Sequence, residues 1–186
     1  MNAGDSFPYT PYYCEENIWQ LAGHPRFEGS PGLVVLISGR GECAFWRQRA
    51  AGSPTAPVWW DYHVVLLIDD GAWRVWDLDT TLGLPVDAKR YFSATFLSGG
   101  EAVEDCRAVF RVVDKKDYRR EFCSDRSHMR TVDGGWLAPP PEWPAIVREA
   151  GIPLATWLDM RRTEPGERHD LREIIDRFCD SGHTVG

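Results

Sequence analysis

Apolar residues in this chain come in short runs broken by Gly, Pro and Asp, and the period of the runs changes along its length. Residues 1–11 carry no period and read as an irregular lead-in that continues to Tyr13. Ile18, Trp19 and Leu21, following Cys14-Glu15-Glu16, predict a short helix with acids in its first turn and an end near Gly23. The apolar run Leu33 to Ser38 predicts a buried strand. Gly39-Arg40-Gly41 signals a turn, and Cys43 to Gln48 is expected to return as the partner strand. Val58 to Ile68 and Ala72 to Leu78 are strand-like and flank Asp69-Asp70-Gly71, the pattern of a hairpin. Residues 83–104 combine a Pro turn with a short helix, Arg107 to Val113 alternates as a strand, and Asp114 to Phe122 reads as helix. Ser124 to Gly135 is polar loop, and Pro139-Pro140-Pro141 is a rigid extended piece. Leu171, Ile174, Ile175 and Phe178 share one helical face, with Asp170 and Glu173 as a capping box. The pattern is α+β: a helix first, then a mostly antiparallel sheet, then helices and loops, in one domain over residues 1–186.

Composition narrows the classes. Hydrophobic residues make up 43% and aromatics 12%, with nine Trp, enough for a packed core. A formal charge of -7 disfavours nucleic acid as a partner and suits neutral or cationic ligands. No apolar run approaches the roughly 20 residues that span a bilayer, and the polar N-terminus lacks the pattern of a signal peptide, so no membrane partner is expected. The five cysteines are odd in number, scattered and without CxxC, which argues against a disulfide framework or a zinc knuckle. Reduced thiols point to the cytoplasm, and to the nucleus as well in a eukaryotic source. The expected working form is a monomer without metal or cofactor.

The candidate chemistry begins in the hairpin. A three-residue loop at 69–71 with Gly71 last pairs Ile68 with Ala72, and in that register His63 stands directly across from Asp77. A carboxylate there holds one ring nitrogen and leaves the other free. Asp79 falls across from Asp61 on the same side. A plain cross-strand ion pair accounts for the same spacing. Cys14 opens the first helix, where unpaired N–H groups stabilise a thiolate and can receive an oxyanion. Glu15 and Glu16 oppose that ionisation, so a proton transfer to His63 is required. Cys43, Cys106 and Cys179 read as packing residues, leaving Cys123, beside the polar loop, as the rival nucleophile. A Cys opening a helix, with His and Asp following on neighbouring strands, is the arrangement of papain-like and transglutaminase-like enzymes, which work through a thioester.

Four ordered blocks add a resemblance: Tyr13-Cys14-Glu15-Glu16-Asn17-Ile18-Trp19, Trp60-Asp61-Tyr62-His63-Val64-Val65-Leu66-Leu67, Asp77-Leu78-Asp79-Thr80 and Ser124-Asp125-Arg126-Ser127-His128-Met129. Together with Trp46, Gln48 and Pro139 to Pro141, they resemble the protein N-terminal glutamine amidohydrolases, the WDYHV-motif family. Residues 39–45 diverge from its pattern, and 148–170 are only loosely similar. The resemblance implies a triad of Cys14, His63 and Asp77, with Asp79 as the competing carboxylate. It implies deamidation of a free N-terminal Gln on polypeptides, and in eukaryotes a place in an N-degron route. Candidates for contacting the substrate are Glu15, Asp61, Asp79, Asp125 and Ser127. Against each stands a plainer role: first-turn helix acids for Glu15 and Glu16, surface charges for Asp61 and Asp79, a structural loop for 124–129. Another Cys acyl-transfer hydrolase, or a module that binds N-terminal Gln without turnover, is the alternative reading.

Overall fold

Two long strands, β1 (Gly32–Phe45) and β2 (Val58–Asp69), set the layers, because their side chains alternate between two apolar faces. Val34, Leu36, Val64 and Leu66 point to one side, where they meet Ile18 and Leu21 of α1 (Cys14–Ala22). Val35, Ile37, Val65 and Leu67 point to the other. A strand buried on both faces needs a helical layer on each, and the later elements supply them.

In this computed structural model, which describes residues 7–98, 101–102 and 108–179, the remaining elements follow in order. They are β3 (Trp73–Trp76), β4 (Val86–Asp87), α2 (Ala88–Phe96), β5 (Leu97–Ser98), β6 (Glu101–Ala102), β7 (Val109–Asp114) and α3 (Lys115–Glu121). Then come β8 (Phe122–Cys123), β9 (Ile152–Pro153), α4 (Leu154–Leu158), β10 (Glu167–His169) and α5 (Leu171–Cys179). The main sheet runs β10-β7-β1-β2-β3-β4, antiparallel at every pair. Tyr118 of α3 and Trp157 of α4 join α1 on the first face. Tyr91, Phe92 and Phe96 of α2 pack with Ile174 and Phe178 of α5 on the second. The α+β class with a mostly antiparallel sheet therefore stands. The capping box of α5 also forms, with the Asp170 N–H on Glu173 Oε2 at 2.8 Å and the Glu173 N–H on Asp170 Oδ1 at 2.9 Å.

Three expectations change. Gly39-Arg40-Gly41 is not a hairpin turn. β1 is continuous, and residues 39–42 bulge against Asp61 alone, between the pairs Ser38–Tyr62 and Cys43–Trp60. Gly41, at φ +125°, permits the extra residues without reversing the strand. The β2–β3 hairpin keeps Asp69 in the ladder, opposite Trp73, so its loop is 70–72 rather than 69–71. The Asp69 carboxylate accepts the Gly71 N–H at 3.0 Å, which starts the turn one residue later and puts Gly71, at φ +101°, in its middle. Finally, β3 stops at Trp76 instead of running to Leu78. Among the cysteines, Cys106 and the side chain of Cys179 lie outside the described residues, as do Arg107 and the first six residues of the lead-in.

Candidate active site

The hairpin correction alters how His63 meets Asp77 without separating them. The observed register pairs Leu66 with Trp76, and one step past the end of β3 it sets Val65 across from Asp77. A slip of one residue would have moved Asp77 to the opposite face, but a slip of two preserves the face and makes His63 and Asp77 diagonal neighbours. Diagonal neighbours remain within reach of an imidazole, and His63 Nε2 lies 2.9 Å from Asp77 Oδ1 with both side chains buried. Trp60 and Phe45 flank the imidazole ring, with centroids 4.9 and 5.7 Å away.

Past Trp76 the chain turns, and the turn docks on residues 47–49: Arg49 N–H reaches the Asp79 carbonyl at 2.8 Å and Thr81 N–H the Arg47 carbonyl at 2.7 Å. Docking delivers Gln48 to Asp77, with Nε2 at 3.2 Å from Oδ2. Tyr91 of α2 donates to the same oxygen at 2.9 Å, and the Asp79 N–H donates to Oδ1 at 2.9 Å. Tyr91 had no signal in the sequence, because only the packing of α2 on the sheet brings it here. Burial works against the Asp77 anion, but His63 and these donors outweigh it and hold the carboxyl below its ordinary value. Burial also works against a charged His63, and the Asp77 carboxylate overcomes it with help from Asp79 and Glu15, so His63 titrates above 6.5.

Atoms of His63, Asp77 and Asp79 within 4.8 Å of one another form the one metal-compatible group among the described residues. The donor set argues against a metal there. The four hydrogen bonds to Asp77 occupy the lone pairs that an ion would need, and His63 Nε2 is one of the donors.

Cys14 is the first residue of α1, whose preceding residue Tyr13 provides no side-chain cap. The early N–H groups of the helix therefore remain available to an anion. Asn17 anchors the lead-in to this end, exchanging two 2.8 Å bonds with the Thr10 backbone. Because the β2–β3 ladder ends at Leu66, β2 is open on that side at Val64. The Val64 backbone N–H favours the thiolate, but burial and the charges of Glu15, Asp79 and Asp77 dominate and keep the Cys14 thiol well above its ordinary value. The other candidate, Cys123, is half-buried in the short β8–β9 ladder, where Gly151 packs against its Cβ.

The substrate-contact candidates separate clearly. Glu15 and Glu16 are fully buried, so neither is a solvated first-turn acid. Glu16 receives a two-pronged contact from Arg126, at 2.8 and 2.7 Å, and the Trp143 Nε1–H at 2.7 Å. This contact anchors the 124–129 block to α1 and makes Arg126, placed in a polar loop by its sequence, a buried structural residue. Glu15 lies beside the thiol, its Oε2 3.8 Å from Cys14 Sγ, and takes a hydrogen bond from Tyr62 at 3.0 Å. His128 Nε2 stands 3.4 Å from Glu15 Oε1. Asp79 is half-exposed and receives the Tyr9 hydroxyl at 2.5 Å. Asp61 is exposed, and its carboxylate accepts the N–H of its neighbour Tyr62 at 3.0 Å. Asp125 and Ser127 are exposed and hydrogen-bonded to each other, while His128 makes that block's contact with the site. A cleft of about 410 Å³ opens nearby between Tyr9, Tyr12, Pro139, Pro140 and Trp143.

Fold and site define a class: an α+β protein with a thiol at a bare helix start and, within the same acidic cluster, an imidazole held by a buried carboxylate. The chain belongs to the N-terminal glutamine amidase family, whose model matches residues 9–178. Proteins called protein N-terminal glutamine amidohydrolase from Drosophila ananassae and Drosophila melanogaster are each 35% identical over 186 residues, covering 95% of this chain and 91% of theirs. The protein of that name from Drosophila mojavensis is 36% identical with the same coverage.

Proposed function

We propose that this protein hydrolyses the side-chain amide of an N-terminal glutamine on a polypeptide, leaving glutamate and releasing ammonia. The chain acts as one amidohydrolase domain, as a monomer in the cytoplasm, without metal, cofactor, nucleic acid or membrane. The observation that carries the reading is the buried His63–Asp77 bond in a chain whose only helix-opening cysteine among the described residues is Cys14. The helix-borne thiol and sheet-borne base correspond to a papain-like or transglutaminase-like arrangement.

Asp77 holds His63 by Nε2, so Nδ1 serves as the base. Cys14 gives its proton to Nδ1 as sulfur bonds to the amide carbon, and the oxyanion falls to the N–H groups at the start of α1. His63 returns that proton to the amide nitrogen, the C–N bond breaks, and ammonia leaves a thioester. Water then attacks the thioester carbonyl, giving its proton to His63, which passes it to the departing Cys14 sulfur.

The thiol is held un-ionised, so His63 must be neutral to accept its proton. Activity should therefore rise with pH through the His63 titration, and the acid limb of kcat/KM should have its midpoint above the ordinary histidine value of 6.5. A midpoint near 4 would instead indicate a preformed thiolate–imidazolium pair, as in papain-type sites with a thiol pKa of about 3–4.

The function itself is tested by initial ammonia release from four peptides: free N-terminal Gln, acetylated N-terminal Gln, internal Gln and N-terminal Asn. Only the first should react at an appreciable rate. Asn is one methylene shorter and cannot bring its carbonyl to the sulfur, at about 3–3.5 Å, from the same seat. The acetylated and internal residues lack the ammonium. Equal rates for these and the free peptide would point to a general glutamine deamidase.

A further inference from the structure

We propose that the carboxylate of Glu15 receives the substrate's α-ammonium, an assignment that rests on the amidohydrolase reading above. Glu15 and its neighbour Glu16 are equally buried, yet only Glu16 has a guanidinium across from it. Buried carboxylates are costly unless paired and fully hydrogen-bonded. Glu15 meets these conditions only in part: Oε2 has the neutral Tyr62 hydroxyl and the Cys14 thiol, while Oε1 accepts no hydrogen bond. Its nearest cation is the His128 imidazole at 3.4 Å, on a residue exposed to solvent. A side chain at the surface can withdraw, and an ammonium can then take its place against Oε1.

The position suits the chemistry. Glu15 Oε2 lies 3.8 Å from Cys14 Sγ. In a glutamine, four bonds separate the α-nitrogen from the amide carbon. With sulfur about 3–3.5 Å from that carbon and the ammonium about 2.7–2.9 Å from the carboxylate, the residue fits between Cys14 and Glu15 without stretching. The other acids are less suited. Asp61 and Asp125 are exposed, and Asp79 is engaged by Tyr9. The pairing also links recognition to reactivity. The Glu15 charge is the leading electrostatic obstacle to Cys14 ionisation, and an ammonium beside it removes that obstacle as the substrate arrives.

The test compares a Gln-initiated peptide with its des-amino counterpart, in which hydrogen replaces the α-amine. Ammonia release gives kcat/KM for both in wild type, Glu15→Gln and Asp79→Asn, with folding checked by thermal unfolding. Wild type should prefer the amine strongly. Glu15→Gln should shrink that preference by about tenfold to a hundredfold, the range for a hydrogen bond between charged groups. Asp79→Asn should retain it. An unchanged preference in Glu15→Gln, or its collapse in Asp79→Asn instead, overturns the assignment. Should Glu15→Gln not fold, Glu15→Asp decides, because its carboxylate is withdrawn by one methylene. In that variant the amine peptide should lose at least about tenfold and the des-amino peptide much less; equal losses overturn the proposal. If wild type releases no ammonia from the amine peptide, the amidohydrolase reading fails first and the assignment falls with it.

Discussion

Cys14→Ala should release no measurable ammonia from a Gln-initiated peptide while unfolding at nearly the wild-type temperature. In the proposed mechanism the sulfur is the atom that bonds to the substrate, and no neighbouring group can replace it: Glu15 is a weaker nucleophile already held by Tyr62. In a serine protease, removing the nucleophile lowers kcat by about 10⁶, and a comparable loss is expected here. The folding cost is small, because Cys14 is only partly buried and Ala is the better helix former. Cys123→Ala is the control. That residue sits in the β8–β9 ladder, and its loss should leave turnover intact. Full activity in Cys14→Ala, with loss in Cys123→Ala, would move the nucleophile.

The second large effect separates two neighbouring carboxylates. Asp77→Asn should lower kcat by about 10⁴, the cost of the same change in a serine-protease triad, where the amide favours the wrong imidazole tautomer. Here the substitution also puts an NH₂ group among donors, because Gln48, Tyr91 and the Asp79 N–H all point at this side chain. Asp79→Asn should cost about tenfold or less. It removes one charge near His63, but the Asp79 contact with Asp77 is made by its backbone N–H, which the variant keeps. Steady-state kinetics on the two variants decides this, and equal or reversed losses would contradict the assignment of Asp77 as the orienting carboxylate.

Much of this site was legible before the structure, though in one case for an incomplete reason. The period of Ile18, Trp19 and Leu21 located α1 and put Cys14 at its start. Alternation in β2 put His63 on a face with Val65 and Leu67, and that face survives any even shift of register. The contact of Asp77 with His63 was therefore anticipated although the loop count was off: the Asp69 side chain set the turn, and a local carboxylate–amide bond leaves little trace in a hydrophobic pattern. The bulge at 39–42 was read as a reversal because glycines mark both. Long-range partners were hidden for a different reason. Tyr91 reaches Asp77 through the packing of α2, and Arg126 reaches Glu16 across 110 positions of chain. Charged residues in a first helical turn ordinarily face water, so the burial of Glu15 and Glu16 became visible only once the 124–129 and 139–143 segments closed over them.

The most direct test of the central claim is a single incubation of the wild-type protein with a peptide that begins with free Gln, followed by both ammonia and intact peptide mass. The account predicts one ammonia per peptide converted, a product whose mass changes only by the replacement of amide with acid at the first residue, and no cleavage of the chain. Cleavage fragments, a cross-linked or transamidated product, or binding without ammonia release would contradict it.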